Sequence, residues 1–347
     1  MPALIYPALL MTLLLSGGAV AAWAMALFNI VFVPMLDQIV KWQRPGWQVS
    51  QRHLRQLFAP IWFWCYALAQ AGVLIYALAL VSRTDLGAWA FMGLVSGVGL
   101  MTGTAGITAA HELIHRRSRR ERGLGLALLA MVSYLHFRIE HVYGHHRHVG
   151  TAHDPASAKA GDTFPTFFGA VLLRGIGSAW AIEAGQRRRR GLPVLGFSNR
   201  MIRYALVQTL IFLMVWLAFG PWAVLLFLLQ SLMAVHLLEA VNFVQHYGLR
   251  RCTDTRIGAS HAWDSDDPIC GLLVFNLNRH AQHHLDPRIA AADLQVTPQA
   301  PRLPYSFFLM VFLALIPPLW RRVIDARLAD ATASHAGSPS PGGMVHA

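Results

Sequence analysis

The chain has 347 residues, 55% hydrophobic and 13% charged, with 29 Lys and Arg against 17 Asp and Glu and a formal net charge of +12. A composition this apolar, with a positive mean hydropathy, excludes an ordinary soluble enzyme of this size and points to an integral membrane protein. Cys65, Cys252 and Cys270 form no CxxC pair, which excludes a cysteine-ligated iron site and a disulfide framework.

In chain order, the first apolar stretch, 3–17, is short and is separated from the next only by Ser16, Gly17 and Gly18. It has no basic leader and runs straight into a second apolar segment, so it reads as half of a hairpin and not as a cleavable signal peptide. Stretches near the length of about 20 residues that a bilayer requires follow at 19–37, 59–81, 87–110, 203–219 and 221–243. Between the fourth and fifth spans, 111–202 reads as helical around its two histidine motifs and is interrupted at Asp154-Pro155 and Gly191-Leu192-Pro193. The segment 246–330 carries Pro268 and Pro287, and its apolar part, 305–320, ends in Pro317-Pro318 and reads as a short interfacial or re-entrant helix. The Ser-, Gly-, Pro- and Ala-rich residues 331–347 read as a disordered tail. The expectation is an all-α protein with a single membrane-embedded domain, 1–330, in which a bundle of six transmembrane helices carries a helical cap.

The basic residues orient it. Apart from Arg83, every Lys and Arg falls in the loop after the second span, in 111–203, or beyond the sixth span. With six spans these segments share one side, and the positive-inside rule makes that side cytoplasmic, in the inner membrane. The charge therefore reflects lipid and membrane topology, and no nucleic acid is expected as a partner. The run Arg187–Arg190 and the cluster around Arg116–Arg122 suit lipid phosphates or solvent, or a docking surface for an acidic electron carrier.

Nine histidines fall into four motifs on that same side: HELIH with His111 and His115, HVYGHH with His141, His145 and His146, QHYG with His246, and HAQHH with His280, His283 and His284. Spacing of i, i+4 on a helix projects two imidazoles from one face, so His111 pairs with His115 and His141 with His145. A mononuclear site takes four to six ligands, so nine such histidines suggest two metal ions. HELIH alone is also the signature of a zinc protease, with Glu112 as base. In the sixth span His236, Glu239, Asn242 and His246 form a polar stripe. It reads either as interhelical hydrogen bonding or, for Glu239, as a group that orients a ligating imidazole.

Taken together, HELIHR, EHVYGHH, NFVQHYGL and NLNRHAQHH resemble the signature motifs of the membrane-bound alkane 1-monooxygenase family, which includes the hydroxylase component of xylene monooxygenase. FVPMLDQ, HHRHVGTAHDPAS and SHAWDSDD extend the resemblance over most of the chain. It implies a non-haem di-iron monooxygenase with His111, His115, His141, His145, His146, His246, His280, His283 and His284 as ligands to two iron ions. Glu112, Glu140, Asp154, Glu239 and Asn242 are candidates for supporting those ligands, and Phe28, Asn29 and Phe32 for the wall of a hydrophobic channel. Gln245 is more like the xylene branch, Glu140 like the alkane branch, and Ala281 and Gln282 depart from the usual last motif.

The activity implied is insertion of one oxygen atom from O2 into the terminal C–H bond of an n-alkane, with hydroxylation of alkylbenzene methyl groups as the alternative. A membrane fatty acid desaturase or hydroxylase shares similar boxes, although NFVQHYGL favours the monooxygenases, and a zinc protease would leave seven of the nine histidines unused. The signature of a transporter, broken helices with charges at mid-bilayer, is faint. Without CxxC or GxGxxG motifs, and with no flavin or haem expected, electrons must come from another protein, and the resemblance implies a rubredoxin or ferredoxin with its NAD(P)H-dependent reductase.

Overall fold

The structure, a computed structural model, describes residues 1–336. Every regular element among them is helical, and the β-type pairing is limited to an isolated bridge between Asp264 and Arg302. Seven helices among the described residues are long and apolar enough to cross a membrane: Pro2–Ala21, Ala24–Gln43, Pro60–Arg83, Ala88–His115, Phe164–Arg189, Arg200–Phe219 and Pro221–His246. Six of them match the expected spans to within a few residues at each end; the second is shifted, beginning at Ala24 and ending at Gln43 where 19–37 was expected. Phe164–Arg189 is additional. It lies inside the segment read as a polar cap, where Arg174, four glycines and the closing arginines break the apolar run and conceal a continuous helix.

Ala88–His115 is the axis of the bundle. Of its apolar window 78% is buried, against 6% for the peripheral Arg200–Phe219. Lipid tails give helices no hydrophobic reason to associate, so close backbone approach through small residues has to supply the contact. This helix has two such faces. A Cβ on Gly93 would stand 2.8 Å from the Ala19 carbonyl oxygen, and one on Gly97 2.9 Å from the Ala22 and Leu10 side chains. On another face, a Cβ on Gly99 would meet Met233 at 2.6 Å and one on Gly103 the backbone of Ala234 at 2.8 Å. The first pair seats the N-terminal hairpin and the second seats Pro221–His246. Buried polar groups add ties, with Thr102 Oγ1 donating to Gln230 Oε1 at 2.9 Å and Gln230 Nε2 to the Met131 carbonyl at 2.8 Å.

At the end of the bundle that carries the motifs, a carboxylate clamp fastens the long final loop. Asp37, fully buried, accepts the backbone N–H groups of Ile269 and Cys270 at 2.7 and 3.0 Å. Lys41, one turn on, pairs with Asp266 at 2.6 Å and Asp267 at 2.5 Å. Asp267 in turn accepts from Ser265 Oγ at 2.5 Å and from the Phe307 N–H at 2.6 Å. The segment expected as one short helix at 305–320 is two helices, Phe307–Ala314 and Pro317–Ala336, with the break before Pro317. The second continues through 331–336, where the tail was expected to begin, because 317–330 is already helical and nothing before Ala336 breaks it. The rest of that tail, 337–347, lies outside the described residues.

Gly97→Val is expected to overpack the contact with Ala22 and Leu10 and to cost about 1–3 kcal/mol. Thermal unfolding in detergent should show a lowered Tm, while Gly72→Val, at a position open to its surroundings, should leave it near the parent value.

Candidate metal centre

Each histidine motif is carried by a helix end or a short helix at the same end of the bundle. HELIH closes Ala88–His115, QHYG closes Pro221–His246, and HAQHH forms the short helix His280–Leu285. HVYGH, His141–His145, is a π-helical turn. A π turn carries one extra residue per bonded ring, so i and i+5 come to one face in place of i and i+4. His141 Nε2 accordingly lies 3.0 Å from His146 Nε2, and His145 is turned toward other partners. The expected pairing of His141 with His145 on one face is corrected on this ground.

The nine imidazoles gather in two groups: His111, His115, His141, His146 and His283 in one, and His145, His246, His280 and His284 in the other, each with its nitrogens within 4.8 Å of one another. The groups adjoin, with the His146 and His284 ring centroids 4.7 Å apart. In the first group Nε2 faces Nε2 at 3.1 Å for His141 and His115 and at 3.0 Å for His283 and His146. In the second the same holds at 3.1 Å for His280 and His246 and at 2.9 Å for His284 and His280.

Chains of ring nitrogens at such distances cannot all be satisfied by shared protons. Each neutral imidazole has one N–H and one lone pair, and burial opposes further protonation. His141, His146, His280, His283 and His284 are all held well below the usual 6.5, first by burial and then by neighbouring imidazoles. The buried His111 Nε2 and His145 Nε2 have no hydrogen-bond partner among the described residues. Converging lone pairs with no donor between them are the donor set of a cation, and imidazole nitrogen suits iron, zinc or copper. The residues present therefore fit metal ions.

Two of the rings are visibly oriented from behind. Asp154 Oδ2 lies 2.9 Å from His145 Nδ1 and also accepts from Ser157 Oγ at 2.5 Å. For His145, burial lowers the pKa but the Asp154 carboxylate outweighs it, so the imidazole sits above its ordinary value. Burial likewise pushes Asp154 up, and His145 and Ser157 bring it below the ordinary carboxylate range. His246 Nδ1 lies 3.1 Å from the His261 carbonyl oxygen, so its N–H points there and its Nε2 lone pair faces the group. This is the arrangement by which a partner on one ring nitrogen fixes the tautomer and aims the other.

The other candidates stand elsewhere. Glu112 pairs with Arg116 at 2.5 Å and accepts the Ala291 N–H at 3.2 Å, so it ties the HELIH helix to a loop and is not free to act as a base. Glu239 accepts from Tyr134 OH at 2.9 Å and from Asn242 Nδ2 at 3.0 Å and bonds to no imidazole. Glu140, pushed up to about 8 by burial and then by Asp154, joins Glu239 and Asn242 around a small cavity that His136, Tyr134, His141 and His145 also line.

A second, narrow cavity lies on the membrane side of the histidines. Its lining is almost wholly apolar and comes from five parts of the chain, including Asn29, Leu100, Thr108, Leu238, Leu277 and Phe308. Thr108 stands one turn before His111, about 4.5 Å along the helix axis, so the cavity extends to within a helical turn of the first histidine group. Of the three expected wall residues only Asn29 lines it. Phe28 and Phe32 stack on each other and lie outside its lining, with Phe32 half exposed.

The fatty acid desaturase family model matches residues 86–297, which takes in all four motifs. The chain is 35% identical over 319 residues to alkane 1-monooxygenase 2 of Pseudomonas aeruginosa, covering 88% of this chain and 84% of that one. It is 31% identical over 316 residues to alkane 1-monooxygenase 2 of Alcanivorax borkumensis, covering 88% and 82%. The chain belongs to the fatty acid desaturase family and, within it, to the alkane 1-monooxygenases. It is also 31% identical over 233 residues to the xylene/toluene monooxygenase hydroxylase component of Pseudomonas putida, covering 67% and 63%. This member of the family is accordingly an oxidoreductase and a multi-pass membrane protein.

Several residues that shape the site escaped the sequence reading. The His261 carbonyl acts through the backbone, which no side-chain motif reveals, and Tyr134 and Thr108 carry no pattern of their own. The phenylalanines at 307, 308 and 312 reach the cavity from a helix distant in sequence.

Asp154→Asn is expected to weaken metal binding by about 10–100-fold, measured by competition with a chelator, and Glu239→Gln to weaken it far less. The metal-free protein should also lose stability in acid. The five imidazoles with lowered pKa take up protons readily in the unfolded chain below about pH 6.5 but not in the folded one, so stability falls as pH drops through that value and is insensitive to them above about pH 7.5. His145, raised, acts in the opposite sense and is outnumbered. Denaturant unfolding at about pH 5.5 and pH 7.5 measures the difference.

Proposed function

We propose that this protein is a non-haem di-iron monooxygenase that inserts one oxygen atom from O2 into the terminal C–H bond of an n-alkane, giving a 1-alkanol. The observation that carries the reading is the juxtaposition of two all-imidazole groups with an apolar cavity whose lining reaches to within a helical turn of one of them. The nine histidines would hold two iron ions, His111, His115, His141, His146 and His283 one of them and His145, His246, His280 and His284 the other. Iron bound there supplies the reductive activation of O2 needed to attack an unactivated C–H bond. The protein's own part is to aim one carbon, exclude water and fix the ligands. The narrow apolar cavity does the first two, and Asp154 and the His261 carbonyl contribute to the third. A hydrocarbon that partitions into lipid meets this cavity from within the membrane.

Topology supports a six-span arrangement with the site on the cytoplasmic side of the inner membrane. If all seven long helices crossed, His246 would be on the opposite side from His115, yet the groups that contain them adjoin. Six crossings, with Phe164–Arg189 lying along the surface as part of the helical cap, keep them together. Nearly all the basic residues then share that side, in accord with the positive-inside rule. Residues 1–330 act as one unit in this reading.

Electrons come from outside the chain, from a rubredoxin or ferredoxin with its NAD(P)H-dependent reductase. His115 and His146 are the only ligands of the proposed set that are not fully buried; Arg116, Arg117 and Arg147 are their neighbours in sequence, and Arg138 acts on His115 through space. A positive rim at the accessible edge of the site suits an acidic carrier.

Purified protein with NADH and O2 alone should be inert, and adding a donor protein with its reductase should give 1-octanol from octane. In competition with hexadecane and xylene, benzylic alcohol formed with no 1-alkanol would contradict the alkane reading and favour alkylbenzenes. His283→Ala is expected to lose bound iron and turnover together, whereas His148→Ala, outside both groups, should keep both. Full iron content and activity in His283→Ala would remove that residue from the ligand set.

A further inference from the structure

One wall of the apolar cavity is formed by Phe307–Ala314, a helix that no motif singled out. Its first residue is pinned at the level of the loops, where the Phe307 N–H donates to Asp267 at 2.6 Å and Lys41, near the end of Ala24–Gln43, holds Asp267 at 2.5 Å. From there it descends between Ala24–Gln43 and Pro221–His246 until it meets the π turn Phe28–Phe32, and the break before Pro317 ends the descent. Phe308, Val311 and Phe312 present one face to the cavity. Phe312 lies five residues beyond Phe307, about 7.5 Å further down the axis, and so at the level of the turn that contributes Asn29.

The cavity is therefore a slot with the histidines at one end and Asn29, Leu100 and Phe312 toward the other. Leu100 and Thr108 both line the slot and lie eight residues apart on the same helix, with the π turn Met101–Gly106 between them, which gives the slot a length of at most about 12 Å. Two of the three residues at the far end are immobilised. Asn29 accepts from Tyr6 OH at 2.8 Å and donates to the Met25 carbonyl at 2.8 Å, and Leu100 is packed to 1% exposure. Phe312 is part-buried and makes no polar tie that would fix it.

We infer that Phe312 is the specificity-determining residue that sets how long a hydrophobic chain the slot accepts, its ring closing the end remote from the histidines. The inference rests on the hydrocarbon reading for the identity of the substrate, but the wall itself can be tested by binding. Referred to free alkane in water, each methylene newly buried raises affinity by about four-fold, so a residue that ends the slot determines where along a homologous series affinity for the protein stops rising.

The experiment compares the parent protein with Phe312→Ala, Phe312→Leu and Phe312→Trp, and with Leu313→Ala, a neighbour outside the lining, as control. Purified protein in nanodiscs is equilibrated with n-alkanes from hexane to hexadecane, and bound alkane is extracted and quantified by gas chromatography; products are measured in parallel with an electron donor present. The expected result is that the length at which affinity levels off moves upward in Phe312→Ala and Phe312→Leu, moves downward in Phe312→Trp, and stays unchanged in Leu313→Ala, with hexane binding alike throughout. Folded Phe312→Leu and Phe312→Trp proteins that keep the parent limit overturn the inference. A limit that moves while no hydrocarbon is oxidised leaves the wall assignment standing and removes the monooxygenase reading. Formation of 1-alkanol with an unmoved limit does the reverse.

Discussion

Nine imidazoles desolvated at one end of a helical bundle are the constraint on which the rest of the structure depends. Ring nitrogens held about 3 Å apart in two adjoining groups repel one another if protonated and leave lone pairs unmet if neutral, so the arrangement is stable only around cations or under strong enforcement by the fold. The enforcement is visible. Ala88–His115 and Pro221–His246, which deliver three of the nine, are locked through Gly99 and Gly103. The carboxylate clamp of Asp37 and Asp267 fastens the loop that delivers three more. Burying several carboxylates costs free energy unless each is paired or bonded, and here each accepts backbone N–H groups or a lysine.

The same clamp joins the chemistry to the substrate space. Asp267 bonds the first residue of Phe307–Ala314, so the segment that orders the last histidine motif also sets the height of the helix that walls the cavity. Polar and apolar functions are kept in separate cavities: Glu140, Glu239 and Tyr134 line one together with His141 and His145, and the apolar slot shares no residue with it. An enzyme that must keep water from a reactive centre while holding a greasy chain next to it needs this separation.

Much of this was legible in the sequence, for physical reasons that can be named. Apolar runs of bilayer length report spans directly, and i, i+4 histidines report a shared helical face, so HELIH could be read correctly. The division of the nine could not be read, because His141–His145 is a π turn whose extra residue sends His145 to one group and His146 to the other, and nothing in HVYGHH announces that change of period. Phe164–Arg189 was hidden by its glycines and arginines. Glu112 and Glu239 lie beside the histidines in sequence, yet their carboxylates are taken by Arg116 and by Tyr134 and Asn242. Asn29 was recognised as cavity wall, whereas its neighbours Phe28 and Phe32 turn away from it, a matter of helix rotation that a single span cannot specify.

X-ray absorption on the iron-loaded protein, with metal quantified per chain, tests the central claim most directly. The account predicts two irons per chain and a first shell whose protein ligands are all nitrogen. A single bound metal, or a shell in which carboxylate oxygens from the protein replace imidazoles, would contradict it.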